Sequence, residues 1–587
     1  MEENEAAAIV RSLLGRLTPQ NGKYRLPEGL LSSDDVKALS QLAGLPPVDQ
    51  DTVAETAPIE LDTTAVTTKG PTEPELRICI DFGTAMSKAW ACRGDDDETI
   101  PLILGRSAGS GDTLAVPSSI FISQSGRLFL GAAAETQHRQ EIETGRQRFD
   151  NLKRMLSEAE VGQELDDVPL PREIDPTNSG LTKGDLLVLY LAWVTDLALD
   201  SLFADEKDNG DLRYVRRRFA IPCFEFAQDE TVGGTQRAVW AREVLKRALL
   251  RAQVVADTLR GKWADLSTNE VAVVMVEVRK LDTTQLEHLL AETCAVREPV
   301  AAAASRFDEE IVRDAIDSDE LVRRLLLVID AGAGTTDFAL FQVFSDPSSD
   351  RTKYGLIKQA VLMFRIAGNA VDEILRPIVL RQCLIDPHSG YPRSTDDFNL
   401  IKIDLSAQIR AIKRDLFAKR EASIQLRPDV SGMLSLETVL DNSDYKRLGT
   451  ELKNARDGML KTTFESNEAF LKDAASKTMR SGRSFPIHVL LTGGSSALPI
   501  VRALADGELS FGDARFGFIS VNDLPTWINS LPREEAELVS GSYQQCAVAI
   551  GGSAKDLPIE LKDLQSPITP PAAGPRIIER YQVTGVG

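Results

Sequence analysis

Two short stretches carry chemistry-bearing residues in the same order. The first is Ile78-Cys79-Ile80-Asp81-Phe82-Gly83-Thr84-Ala85-Met86-Ser87, and the second is Val328-Ile329-Asp330-Ala331-Gly332-Ala333-Gly334-Thr335-Thr336-Asp337. Each passes from an apolar β-type run to an aspartate, then to a glycine-containing turn with threonine. Gly83 lacks a Cβ and lets the backbone come close to a ligand. The amides of Gly83, Thr84 and Ala85 could then face phosphate oxygens, as backbone nests do. Asp81 ends its run, where a carboxylate can face Mg²⁺ through the ion's water shell. One such stretch alone is equally a plain hairpin turn. The second adds Gly332, Ala333 and Gly334, the hydroxyls of Thr335 and Thr336, and a further carboxylate, Asp337. The pair predicts a duplicated fold with a nucleotide held between its halves.

A third element, Val489 to Pro499, reads as a strand, a glycine turn and a helix start. Gly493, Gly494 and Ser495 would let a flat ring lie against the backbone, although a ligand-free strand-to-helix connection fits the same residues. No Gly-x-x-x-x-Gly-Lys-[Ser/Thr] occurs, so the phosphate site is not a P-loop. No Gly-x-Gly-x-x-Gly opens a helix, which leaves a dinucleotide Rossmann site unsupported.

These turns need a scaffold, and the chain between about 76 and 555 reads as one. β-type runs at Leu76–Ile80, Tyr214–Ile221, Leu325–Ile329, Phe338–Val343 and Ile487–Leu491 alternate with helical patterns at Lys183–Leu202, Ala238–Arg260, Ile401–Lys419 and Asp444–Phe464. That alternation predicts an α/β class with mixed sheets. Residues 1–45 read as a small helical extension. Ile9, Val10, Leu13, Leu14 and Leu17 recur at helical spacing, and a second helix is expected from its Ser33 cap to Gly44. Residues 46–75, rich in proline, threonine and acids and free of aromatics, are expected to be a disordered linker. Residues 556–587 read as a proline-rich tail.

The 587 residues are too many for one compact core. A net charge of −21 argues against a nucleic-acid or anionic-membrane partner. The six cysteines (Cys79, Cys92, Cys223, Cys294, Cys383, Cys546) show no CxxC spacing and read as reduced core residues. His138, His288, His388 and His488 lie far apart, without metal-ligand spacing. The N-terminus shows no signal-peptide pattern. The longest apolar run, Leu186 to Val194, is too short to span a bilayer, so a cytoplasmic location is expected.

The order of these elements resembles the actin, sugar-kinase and heat-shock-chaperone ATPases. It is most similar to the nucleotide-binding domain of DnaK-type chaperones, the heat-shock protein 70 class. Val116-Pro117-Ser118-Ser119 followed by Gly131, Phe149 to Leu156 with Lys153-Arg154, and Ala220-Ile221-Pro222-Cys223-Phe224 resemble successive segments of that domain. Arg297-Glu298-Pro299-Val300-Ala301-Ala302-Ala303 and Ala547-Val548-Ala549-Ile550-Gly551 resemble its two interlobe helices. Lys413-Arg414-x-Leu416 resembles its adenosine-contacting helix.

The resemblance implies a two-lobed actin-like ATPase fold of duplicated ribonuclease-H-like lobes. The first lobe would take residues 76–320 plus 535–555, and the second residues 321–534. It implies ATP or ADP with Mg²⁺ between the lobes, slow hydrolysis by in-line attack of water, and lobe closure as output to a protein partner or client. Asp81, Asp330, Asp337 and Glu298 would surround the Mg²⁺ and the water, with Asp81 and Asp330 reaching the metal through water. Lys153 would reach the γ-phosphate. Thr84, Thr335 and Gly368 would approach the phosphates. Lys413 and Arg414 would approach the nucleoside with the Gly493-Gly494-Ser495 turn.

The family's pattern is broken at Ala497, where it usually has arginine, at Arg410, where it has an acid, and at Phe417, where it has serine. The spacing between the two hairpins is also longer, with extra helix expected in about 225–290. After the last interlobe helix, residues 556–587 are too few for the family's peptide-binding domain. A nucleotide-responsive scaffold with little turnover, which needs no working Lys153, remains an alternative. So does a filament-forming actin relative. A sugar kinase lacks a sugar-binding signature. Residues 1–45 are the expected partner-docking segment.

Overall fold

The computed structural model describes residues 18–20, 23–25, 60–67, 76–94, 98–158, 161–204, 215–222, 232–282, 295–306, 324–345, 352–385, 395–427, 430–521, 523–561 and 564. Contacts divide the chain into two units, residues 1–60 and 61–587. In the first unit, β1 (Thr18–Gln20) and β2 (Lys23–Arg25) form an antiparallel pair. The sequence between them is Asn21-Gly22, the dipeptide that two-residue hairpin loops favour. The stretch expected to be helical therefore contains strands. Its expected helices, around Ile9–Leu17 and Ser33–Gly44, lie outside the described residues.

The second unit holds two large sheets. The N-terminal sheet uses β3 (Leu76–Asp81), β4 (Met86–Arg93), β5 (Glu98–Pro101) and β6 (Ala115–Pro117). A small sheet of β7 (Ser119–Ile122), β8 (Leu128–Leu130) and β9 (Phe149–Asp150) follows. Then β10 (Arg216–Ile221) and β11 (Ala295–Arg297) complete the order β11-β10-β3-β4-β5, with β6 beside β4. The C-terminal sheet uses β12 (Arg324–Ala331), β13 (Thr336–Ser345) and β14 (Thr352–Phe364). After a side hairpin, β15 (Glu421–Leu426) with β16 (Val430–Ser435), it adds β17 (Phe485–Thr492), β18 (Glu508–Phe511), β19 (Ala514–Ser520) and β20 (Ile559–Leu561). Its order is β18-β19-β17-β12-β13-β14-β20.

One pattern occurs twice. In each sheet a hairpin, β3-β4 or β12-β13, pairs antiparallel. The hairpin's first strand has a parallel neighbour on its other side, β10 or β17. A further strand, β11 or β19, then adds parallel. Ile78–Ile80 of β3 and Leu325–Ile329 of β12 are buried apolar runs up to their aspartates. Such continuous runs suit strands covered on both faces.

Helices cover these faces. Helix Glu298–Ala304 packs its buried alanines against the last helix, Arg533–Ser553, which also contacts β3 and β4. Helix Lys183–Phe203 is long and apolar enough to cross a membrane, yet 83% of its most apolar window is buried in the fold. The long helix Val232–Thr258 and helix Thr268–Arg279 occupy the region where extra helix is expected.

Two expectations change at the edges. Within the expected linker, residues 60–67 include a helical turn, Thr64–Thr67, whose Val66 is buried against Leu250 and Val254. Within the expected tail, Ile559–Leu561 extends the C-terminal sheet, and Leu561 and Leu564 join its core. Cys79, Cys92, Cys383 and Cys546 are buried. Cys223, Cys294, His288 and His388 lie outside the described residues.

Candidate functional site

The β3-β4 register places Asp81 directly opposite Lys88. The turn between them is tight: a Cβ on Gly83 would lie 2.0 Å from the Met86 carbonyl oxygen. Ser118 braces it from outside, its amide donating to the Ala85 carbonyl and its hydroxyl to the Gly83 carbonyl, both at 2.8 Å. Lys88 Nζ donates to Asp81 Oδ2 at 2.9 Å, and both side chains are buried. Burial disfavours the ammonium, but the facing carboxylate outweighs it, and the Lys88 pKa is held above its ordinary value.

The β12-β13 register places Asp330 opposite Asp337, two carboxylates where the first hairpin has an acid and a base. Thr492 lies beside Asp330 in β17 and donates its hydroxyl to Asp330 Oδ1 at 3.0 Å. Thr335 Oγ1 lies 3.4 Å from Asp337 Oδ2, and Asp337 Oδ1 is buried without a hydrogen-bond partner among the described residues. The Gly332 amide closes the turn on the Thr335 carbonyl at 2.9 Å.

The turn's carbonyls are taken up by its neighbours. The amides of Gly368 and Asn369, opening helix Gly368–Ile385, donate to the Gly332 and Ala333 carbonyls. Ser495 donates its amide to the Ala331 carbonyl and its hydroxyl to the Gly332 carbonyl. Gly493 has φ +86°, a left-handed conformation open to glycine, and its amide donates to the Gln544 carbonyl at 2.7 Å.

The two turns meet. A Cβ on Gly334 would lie 3.0 Å from Thr84 Oγ1. Residues 83–86 and 332–335 are each half-buried, flanked by buried strand residues. Glu298, opening its helix after β11, brings a further carboxylate. Ligand atoms of Glu298, Asp330 and Asp337 all lie within 4.8 Å of one another, so the three could share one cation. Lys153, just after the left-handed Asn151, donates its ammonium to Glu298 Oε1.

This crowding shifts protons. Burial, opposed by Lys153 and reinforced by Asp81 and Asp330, pushes Glu298 up to about 7. Burial, with Glu298 and Asp330 adding like charge, holds Asp337 well above the usual carboxylate range. Burial and Asp81 raise Asp330. Lys153 loses ground to burial but gains more from Glu298 and Asp81, and its pKa is raised.

The structure thus gathers Asp81, Gly83, Thr84, Ala85, Lys153, Glu298, Asp330, Gly332, Ala333, Gly334, Thr335, Asp337, Gly368, Gly493 and Ser495 around the two turns. It separates others. The Thr336 hydroxyl, fully buried, donates to the Ile366 carbonyl at 2.6 Å. Lys413 Nζ is held by the Gly368 carbonyl at 2.8 Å and by Asp372 at 2.7 Å. Arg414 is exposed, its nearest ion-pair partner Asp415. Gly494 and Ala497 are exposed. Phe417 stacks on Tyr445 at 6.2 Å between ring centroids. Arg410 reaches across to Asn151 Oδ1 at 2.6 Å.

The metal expectation has Asp81 and Asp330 reaching Mg²⁺ through water. Among the described residues, Glu298, Asp330 and Asp337 lie close enough to share an ion directly, and Asp81 is paired with Lys88. The sequence reading gives no site role to Lys88, Thr492 or Ser118. A hairpin register counted from the Gly83 turn would have paired Asp81 with Lys88.

No protein-family model matches the chain, and no curated protein is significantly similar to it.

Proposed function

We propose that the chain is a heat-shock protein 70-like (DnaK-like) ATP-binding protein with an actin-like two-lobed fold. It binds Mg-ATP between its two large sheets, hydrolyses it slowly, and uses closure of the two halves to regulate a protein partner in the cytoplasm. One observation carries this reading: two glycine-threonine turns face each other over four buried carboxylates and two buried lysines. The strand order shared by β11-β10-β3-β4-β5 and β19-β17-β12-β13-β14 supports the two-lobed reading, since it is the order expected of a ribonuclease-H-like lobe.

The charge balance fits a divalent cation. Asp81, Glu298, Asp330 and Asp337 against Lys88 and Lys153 leave two negative charges when all six groups are ionised. All the candidate ligands are oxygens, which suit Mg²⁺. Asp337 Oδ1, without a hydrogen-bond partner among the described residues, can take a further interaction. Glu298, Asp330 and Asp337 would hold the ion, which when bound supplies positive charge to the phosphates.

The chain's own residues supply the rest. The Thr84 and Thr335 hydroxyls and the turn amides bind phosphate oxygens. Lys153 neutralises charge that grows on the transferred group. Glu298 would also orient the attacking water. The remainder is positioning, as phosphoryl transfer requires. Residues 1–45 are proposed to dock the partner.

A scaffold with little turnover is the second reading, favoured by the commitment of Lys153 to Glu298. Single-turnover cleavage of γ-labelled ATP separates the two. The wild type should cleave, and Lys153→Ala should bind ATP yet cleave it about 100-fold more slowly or worse. A wild type that binds without cleaving selects the scaffold, and one that binds no ATP ends both readings.

A further inference from the structure

The two hairpins place different partners opposite their aspartates, and that difference has a consequence for metal binding. Asp81 and Lys88 form a buried ion pair at 2.9 Å, with side-chain exposures of 7% and 10%. The corresponding pair on the second hairpin is Asp330 with Asp337, where Asp337 Oδ1 has no hydrogen-bond partner among the described residues. The ammonium also lies close to the first turn, 3.4 Å from where a Gly83 Cβ would be. That turn meets the second hairpin, where a Gly334 Cβ would lie 3.0 Å from Thr84 Oγ1.

We propose that Lys88 is a built-in counter-cation: it withdraws Asp81 from the metal-binding set and sets how tightly Glu298, Asp330 and Asp337 hold a divalent ion. The proposal rests on the Mg-nucleotide reading above. A fixed positive charge beside a cation site weakens ion binding by direct repulsion, and in a buried site that repulsion is poorly screened. It also confines the ion to the second hairpin, because Asp81 already has a partner. Lys88 is thus a positioning residue acting through charge. Its ammonium replaces on the first hairpin the charge that an ion supplies on the second.

The test is a titration of nucleotide-free full-length protein with Mn²⁺, with free ion read by electron paramagnetic resonance. The wild type should bind one Mn²⁺ per chain. Lys88→Met removes the repelling charge and frees Asp81, so affinity should rise about tenfold or more, equivalent to roughly 1.4 kcal/mol. Asp81→Asn leaves the lysine unpaired, and affinity should fall by a similar factor. The double variant restores the wild-type charge, so its affinity should return to within about threefold of wild type, or some 0.65 kcal/mol. If one single variant does not fold, the other and the double variant still decide.

Unchanged affinity in the folded single variants would overturn the role of Lys88 while leaving the site intact. A double variant that binds far more weakly than wild type would show Asp81 to be a ligand and would also overturn it. A wild type that binds no Mn²⁺ would overturn the metal site itself, and this proposal with it.

Discussion

The two hairpins share a strand pattern and a turn chemistry but differ in what faces the aspartate. On the first, Asp81 meets Lys88 and both are satisfied. On the second, Asp330 meets Asp337 beside Glu298, and every one of those three carboxyls is pushed toward its neutral form. The first is a closed ion pair, and the second crowds three carboxyls together with Lys153 on Glu298. Equivalent backbone positions therefore differ in energetic sign. A carboxylate stabilises the fold on one hairpin and strains it on the other.

Substitutions can break this comparison. The largest effect is expected from Asp81→Asn, which strands a buried ammonium. It should destabilise the fold by roughly 3–5 kcal/mol, measured by denaturant unfolding. A loss below 1 kcal/mol would show that the ion pair is not holding the first hairpin. Next comes the pair of glycine variants. Gly83→Ala drives a Cβ into the Met86 carbonyl and should cost about 1–3 kcal/mol. Gly332→Ala meets its nearest atom, the Thr335 carbonyl oxygen, at 3.3 Å and should cost less than about 1 kcal/mol. Equal costs would erase the difference between the turns.

Asp337→Asn should act with the opposite sign to Asp81→Asn. It relieves the carboxylate crowding and should stabilise the cation-free protein near neutral pH by on the order of 1 kcal/mol. Destabilisation there would contradict the strained second hairpin.

The smallest effect is a slope in pH. Glu298 rises from 4.5 unfolded to about 7 folded, so the folded chain binds the proton more tightly across that window. Its contribution is present below 4.5 and is lost as pH rises through about 7. Asp330 and Asp337, also raised, act in the same direction. Melting temperatures from pH 5 to 8 should fall less steeply in Glu298→Gln than in wild type. Identical slopes would deny Glu298 its raised pKa.

Much of the scaffold was legible in the sequence because its strands are buried on both faces. Ile78–Ile80 and Leu325–Ile329 are unbroken apolar runs, each followed by an aspartate. The site was legible where a residue lies in or beside a turn. It was not legible where a partner comes from elsewhere. Lys88 looks like an ordinary strand lysine until the hairpin register is known. Lys413 and Arg414 are adjacent, but successive helical residues point about 100° apart, so one is buried on Asp372 and the other faces solvent. Val66 sits in a sequence that reads as linker and is buried only because a helix nearly 200 residues later receives it. Ile559–Leu561 gives too short a run to announce itself, and its partner β14 lies far back in the chain.

The central claim is that ATP binds between the two facing turns. Gly334→Val tests it, since the new side chain would project against Thr84, between them. Equilibrium binding of labelled ATP, with Mg²⁺ and with a chelator, is the direct measurement. The account predicts one Mg²⁺-dependent ATP per wild-type chain and none detectable on a folded Gly334→Val chain. A wild type that binds no ATP, or a valine variant that binds it as tightly as wild type, would contradict it.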